Sequence, residues 1–151
     1  MDNPKNSRVI DAIARNCIAV RLRLLNRVVT NLYDDALRPL GLKVSQLNVL
    51  IVAARLGLAR PAQVCEILQL GTSTLSQNLK RMVTNGWLEV VPEEDARTQP
   101  FRLTAAGKSL TERAVPAWEG AQRRAAELLG GEGIALLDGA AKKPGALKPE
   151  G

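Results

Sequence analysis

Apolar residues recur at steps of three and four from the start of the chain. Val9, Ile13, Cys17, Val20, Leu24, Val28, Leu32 and Ala36 form one stripe, which predicts an amphipathic helix over 6–37. Pro39 and Gly41 end it. A stripe this long exceeds what a small domain can cover, so part of it is expected to pack on a second copy of the chain. Leu47, Leu50, Ile51 and Ala54 mark a short helix over 46–56, with Ser45 as its N-cap and Gly57 as its stop. Pro61 suits the first position of the next helix, where its missing N–H costs nothing. That helix is expected over 61–69, with Val64, Cys65, Ile67 and Leu68 inward and Gly71 closing it. Thr72 then caps a helix over 73–84, anchored by Leu75, Leu79 and Met82.

Asn85-Gly86 stops that helix, because both residues tolerate a left-handed conformation. Two strands follow, over 87–91 and 97–103, joined by the turn-forming run from Pro92 to Ala96. Pro100 implies an edge strand. Thr104 caps a last long helix to about residue 129, carrying Leu110, Ala114, Trp118, Ala121, Ala125 and Leu128. Pro116 inside it predicts a kink or a split. Gly130-Gly131 breaks the chain, a short helix is expected over 132–141, and 142–151, rich in Pro, Gly and Lys, reads as a disordered tail.

The fold class is therefore mostly α with a small β-hairpin. Two short helices meeting at Leu70-Gly71-Thr72 are a helix-turn-helix signature, and the hairpin directly after them makes a winged version. Four segments follow: an N-terminal dimerisation helix (1–41), a winged helix-turn-helix lobe (42–107), C-terminal dimerisation helices (108–141) and the tail (142–151).

Composition narrows the chemistry. The 151 residues are one domain's worth, and with only 3% aromatics the core must be built from Leu, Val, Ile and Ala. There are 21 Lys and Arg against 15 Asp and Glu, a net charge of +6. A basic excess points to an anionic partner, and nucleic acid is the usual one. With no histidine and two cysteines, a Ser-His-Asp triad, a His-ligated metal and a four-cysteine site are all excluded. No residue pair has the logic of a catalytic site. Neither an enzyme, a cofactor nor a metal is expected. The chain shows no membrane span and no secretory leader, so a cytoplasmic protein is expected.

The second helix of the pair carries the binding chemistry. With Leu75, Leu79 and Met82 inward, Ser73, Thr74, Ser76, Gln77, Asn78, Lys80 and Arg81 are left outward. Gln pairs with an adenine edge, and Arg or Lys with guanine, in the major groove of double-stranded DNA. Ser and Thr at a helix N-terminus bond phosphate together with the free backbone N–H groups. At the hairpin tip Arg97 suits a narrow, electronegative minor groove, and Asp95 can orient it. Glu93 and Glu94 oppose this by repelling phosphate.

Several of these motifs resemble the MarR family of bacterial regulators. They are Leu58-Ala59-Arg60-Pro61 leading to the Thr72–Met82 helix, Asn85-Gly86-Trp87-Leu88, Asp95-Ala96-Arg97, and Leu103-Thr104-Ala105-Ala106-Gly107. The run from Tyr33 to Leu42 is similar to the end of that family's first helix. The resemblance covers about residues 10–129. It implies a winged-helix homodimer, joined through its terminal helices, that binds a pseudo-palindromic operator. Repression relieved by a small-molecule effector or an oxidant is the usual mode it implies. Ser73, Thr74, Ser76, Gln77, Lys80 and Arg81 would be recognition-helix contacts and Arg97 the minor-groove arginine. Many members have a second Arg where this chain has Ala96, which implies a weaker wing. Gly133 and Gly139 imply a short, interrupted C-terminal helix.

Three further readings complete the expectation. Cys17 is either a small core residue or a redox sensor, as a first-helix cysteine is in some members, with Arg21 one turn later lowering its pKa. Cys65 is expected in the core. Trp118 is either core or the wall of an effector pocket, and core packing is the preferred reading. Against the DNA-binding regulator stands a winged-helix protein-interaction module that has lost DNA binding.

Overall fold

The computed structural model describes residues 4–94 and 99–142. Two helices, α1 (Pro4–Asn16) and α2 (Ile18–Leu37), stand where one was expected. The break is at Cys17, whose ψ of 112° is extended. No Gly or Pro marks it; Asn16, whose side chain competes for backbone bonds, is the local helix-disfavouring residue. The Arg21 guanidinium donates to the Arg15 carbonyl across the break at 2.5 Å. The side chains of residues 6–16 are all exposed.

A 3-10 turn (Arg38–Leu40) and Gly41, at φ 66°, lead to α3 (Val44–Leu56). The expected cap at Ser45 is not used. Lys43 is the N-cap; its N–H donates to Gln46 Oε1 at 3.0 Å, and the Val44 N–H donates to Asp34 Oδ1 of α2 at 2.8 Å. The helix thus borrows a carboxylate from its predecessor to satisfy its first turn. It runs through the centre of the lobe and buries Leu47, Val49, Leu50, Val52 and Ala53, while the expected inward residues Ile51 and Ala54 are exposed.

Next come α4 (Pro61–Leu68) and α5 (Thr72–Thr84). The sharp turn between them is made by Gln69, at φ 51°, rather than by Gly71. Gly71 instead caps α5, so Thr72 is already helical. Val64 is buried, but Ile67, expected inward, is exposed. Leu75 and Met82 anchor α5 in the core, with Leu79 packed beside them.

Strands β1 (Leu88–Val90) and β2 (Phe101–Leu103) pair antiparallel, with Glu89 opposite Arg102. Strand β2 is an edge of this two-stranded sheet, as Pro100 implies, but its outer side is met by one bridge. Phe101 exchanges two 2.9 Å backbone bonds with Ala59, so β2 lies between β1 and the loop before α4. Pro100 lacks only a donor; its carbonyl accepts the Val91 N–H at 2.8 Å.

The last helix, α6 (Ala105–Ala141), opens on Thr104. The Thr104 Oγ1 accepts the Gly107 N–H at 3.0 Å and donates to the Gly86 carbonyl at 2.5 Å. Its dihedrals stay helical through Pro116, Gly133 and Gly139, contrary to the kink and interruption expected there; the single break is Gly130, at φ 68°, where Gly130-Gly131 was expected to break the chain. Glycine alone adopts that conformation without penalty, whereas Pro116 sacrifices one hydrogen bond and leaves φ unchanged. Helix α6 packs along α2. Tyr33 donates to Gln122 across that seam, and burial raises its phenol pKa.

The core joins the end of α2 to the lobe. Leu37, Leu50, Leu75, Met82, Leu88 and Phe101 are essentially inaccessible, each contributing roughly 1.5–3 kcal/mol by burial. The result is mostly helical with one two-stranded hairpin, a winged-helix fold.

Candidate nucleic-acid interface

Helix α5 carries the expected face. Ser73, Thr74, Ser76, Gln77, Lys80 and Arg81 are all exposed, opposite buried Leu75 and Met82. Asn78, also expected outward, is half-buried. Gly71 supplies no side-chain cap, and no acidic residue stands in the first turn. The leading N–H groups of α5 therefore meet solvent beside the hydroxyls of Thr72, Ser73, Thr74 and Ser76, an arrangement that suits a phosphate. Lys80 and Arg81 put positive charge one to two turns further along the same face. Thr84 and Asn85, which the sequence reading left out, share one surface depression with Gln77, Lys80 and Arg81.

The hairpin stands beside this face. A groove of about 480 Å³ separates it from α5, lined by Ser76 and Lys80 on one wall and Val90, Gln99 and Phe101 on the other. Asp95 and Arg97, with Ala96, lie outside the described residues, so the tip is known here only by its two stems.

Between the end of β1 and the tip stands a carboxylate in a pair that the sequence did not flag. The Arg60 guanidinium donates to both carboxylate oxygens of Glu93, at 2.9 and 2.8 Å. Glu93 hydrogen-bonding and charge raise the Arg60 pKa. Glu93, expected to repel phosphate, thus has its charge matched. On the strands, Arg102 pairs with Glu89 at 2.6 Å.

Gly107 locks the hairpin to α6. A Cβ there would sit 2.0 Å from the Trp87 carbonyl oxygen and 2.9 Å from Leu103 Cδ2. That carbonyl already accepts the Thr104 N–H at 3.1 Å. The Leu103-Thr104-Ala105-Ala106-Gly107 run is therefore a junction: Thr caps the helix and ties down Gly86, and Gly lets the helix touch the start of β1.

A separate cavity of about 400 Å³ opens between α3 and α6, lined by Leu47, Asn48, Ile51, Thr111, Val115 and Trp118. Trp118 belongs to this wall and is 40% exposed, which corrects the preference for core packing. Cys17 lies half-buried at the helix break, and Cys65, half-buried, packs against the core. Among the described residues no His, Cys, Asp and Glu group could hold a metal ion, and no helix is long and apolar enough to cross a membrane.

Comparison with known proteins gives the arrangement a context. The model of the MarR family matches residues 40–98. No curated protein matches the chain. Among solved structures, the M. tuberculosis transcriptional regulator MosR in complex with DNA is 30% identical. The match covers 84% of this chain and 97% of that one at a TM-score of 0.70. AbsC, a MarR family transcriptional regulator from Streptomyces coelicolor, is 26% identical over 82% and 87% of the two chains, with a TM-score of 0.68. A mutant of E. coli MarR complexed with operator DNA shares the fold at 21% identity, 87% and 95% coverage and a TM-score of 0.76.

Proposed function

The chain belongs to the MarR family of transcriptional regulators, and from that premise we propose that it is a sequence-specific DNA-binding repressor. It acts in the cytoplasm as a homodimer on a pseudo-palindromic operator and performs no catalysis. The observation that carries this reading is the exposed face of α5, where hydroxyl, amide and basic side chains follow a helix start without a side-chain cap. In the major groove Gln77, Lys80 and Arg81 read base edges, while Ser73, Thr74 and Ser76 hold phosphates. Arg97 enters the minor groove beside it, oriented by Asp95.

The dimer reading is supported by the terminal helices. Val9, Ile13, Val20, Leu24 and Val28 are 47–62% exposed in the single chain. An exposed apolar stripe of that length marks an interface. On this reading residues 1–41 and 108–141 assemble the dimer and 42–107 form the DNA-binding lobe. Two-fold symmetry then places two α5 helices about 34 Å apart, one turn of duplex.

The cavity beside Trp118 supports a small apolar effector. It lies between α3 of the DNA-binding lobe and α6 of the dimer frame, so an occupant can favour one spacing of the lobes over another. Relief of repression follows when the favoured spacing is not the one the operator needs.

The test is fluorescence anisotropy on duplex from upstream of the protein's own gene, against a scrambled duplex, at near-physiological salt. Selective binding that is lost in Lys80→Glu/Arg81→Glu supports the reading. Selective binding unchanged by that charge reversal removes α5 from the interface. A protein that selects no duplex in a genome-wide DNA selection fits the interaction-module alternative.

A further inference from the structure

The loop before α4 grips both arms of the hairpin. Ala59 holds the β2 arm through its two backbone bonds to Phe101. Arg60, the next residue, holds the other arm through the two-pronged bond to Glu93, which lies between the end of β1 and the tip. Buried Leu88 and Phe101, the α6 junction and this bridge hold the base of the hairpin, but the arm beyond Val91 can still rotate about that base. A bidentate guanidinium–carboxylate bond fixes direction as well as distance, and on the opposite arm it removes that rotation. An ion pair this exposed adds little to overall stability, so its effect is geometric.

We infer that Arg60 and Glu93 are a positioning pair, which fixes the hairpin against the helix-turn-helix and so sets how the wing meets the minor groove. The inference rests on the DNA-binding reading above. It explains how a carboxylate stands beside a phosphate-binding surface: its role is to hold Arg60.

The inference reverses the sign that simple electrostatics gives for one substitution. If Glu93 is only a negative charge near DNA, Glu93→Gln strengthens binding. If it is half of a positioning pair, Glu93→Gln weakens operator binding. Arg60→Gln weakens it to a similar extent, about fivefold to thirtyfold for a directly coupled pair. The charge-swapped Arg60→Glu/Glu93→Arg protein recovers most of the loss at unchanged net charge. Anisotropy titrations on the operator read these affinities, and hydroxyl-radical footprints read where protection is lost. Loss confined to the outer minor grooves, with the α5 footprint and the melting temperature retained, supports the pair as a positioning device. Glu93→Gln binding as tightly as wild type or tighter overturns it, and so does a swap as weak as the single variants.

Amide exchange on DNA-free protein supplies a readout independent of operator binding. The Val91 N–H, bonded to Pro100 across the hairpin, exchanges faster in both single variants and recovers in the swap. If wild type selects no duplex, the DNA-binding reading fails on its own. Unchanged Val91 exchange in both variants then overturns the positioning pair separately.

Discussion

Gly107→Ala is the substitution on which local and tertiary preferences disagree most. Gly107 is the third residue of α6, and in a helix Ala is favoured over Gly by about 1 kcal/mol. Helix preference alone therefore predicts a gain. The new methyl, however, would lie 2.0 Å from the Trp87 carbonyl oxygen, itself a backbone atom. A carbon and an oxygen need roughly 3.3 Å, so α6 and the start of β1 must separate by more than 1 Å. That movement breaks the Thr104 N–H bond to Trp87 and disturbs the Thr104 bonds to Gly86 and Gly107. Losing two such bonds costs about 1 kcal/mol each. Forcing a methyl into packed structure adds roughly 1–3 kcal/mol. The sum, less the helix gain, is a net loss of about 2–4 kcal/mol. Urea titration followed by circular dichroism, at one fixed protein concentration, measures it. The melting temperature should fall by roughly 5–15 °C for a chain of this size. Equal or greater stability in the variant would refute the reasoning, because it would mean the junction between α6 and β1 is not held as described.

Other outcomes follow from named contacts. Asp34→Ala removes the carboxylate that accepts the Val44 N–H and should lower stability by about 1–2 kcal/mol; an unchanged urea midpoint would show that water replaces it freely. Arg97→Ala should weaken operator binding while melting stays within a degree or two, and unaltered affinity would take the wing out of the account. Operator affinity should fall steeply as salt rises from about 50 to 200 mM, because each phosphate contact releases counterions; a flat salt dependence would argue against a phosphate-dominated interface.

Local chemistry made the helix-turn-helix legible. Pro61, Asn85-Gly86 and the spacing of Leu75, Leu79 and Met82 act within a few residues, and the face of α5 followed from that spacing. What was missed depends on residues far apart in sequence. Asp34 reaches Val44, Ala59 pairs with Phe101 and Arg60 grips Glu93, and none of these partners leaves a local trace. Helix α3 misled for another reason. It is surrounded on several sides, so its apolar residues do not single out one face, and Ile51 was turned inward when it is exposed. Pro116 misled because a proline in a helix removes one bond without having to end it, whereas Gly130 takes a backbone shape the helix cannot contain. The tip residues Asp95 and Arg97 stay a proposal.

The break at Cys17 has a bearing on how much of the protein is present at all. Helix α1 has 13 residues, and every described side chain on it is exposed. A helix of that length is marginal alone in water. On the proposed dimer its ordering is therefore a bimolecular event, and its population rises with the square of the monomer concentration. A newly made copy meets few partners while the regulator is scarce, and its arm remains open to proteases. As copies accumulate, pairing shields the arm and the lifetime lengthens. On that proposed dimer turnover depends on abundance, so the supply of the regulator would switch on more sharply than its synthesis does. Exchange of the α1 amides should slow as protein concentration increases, while that of the buried α3 amides stays constant.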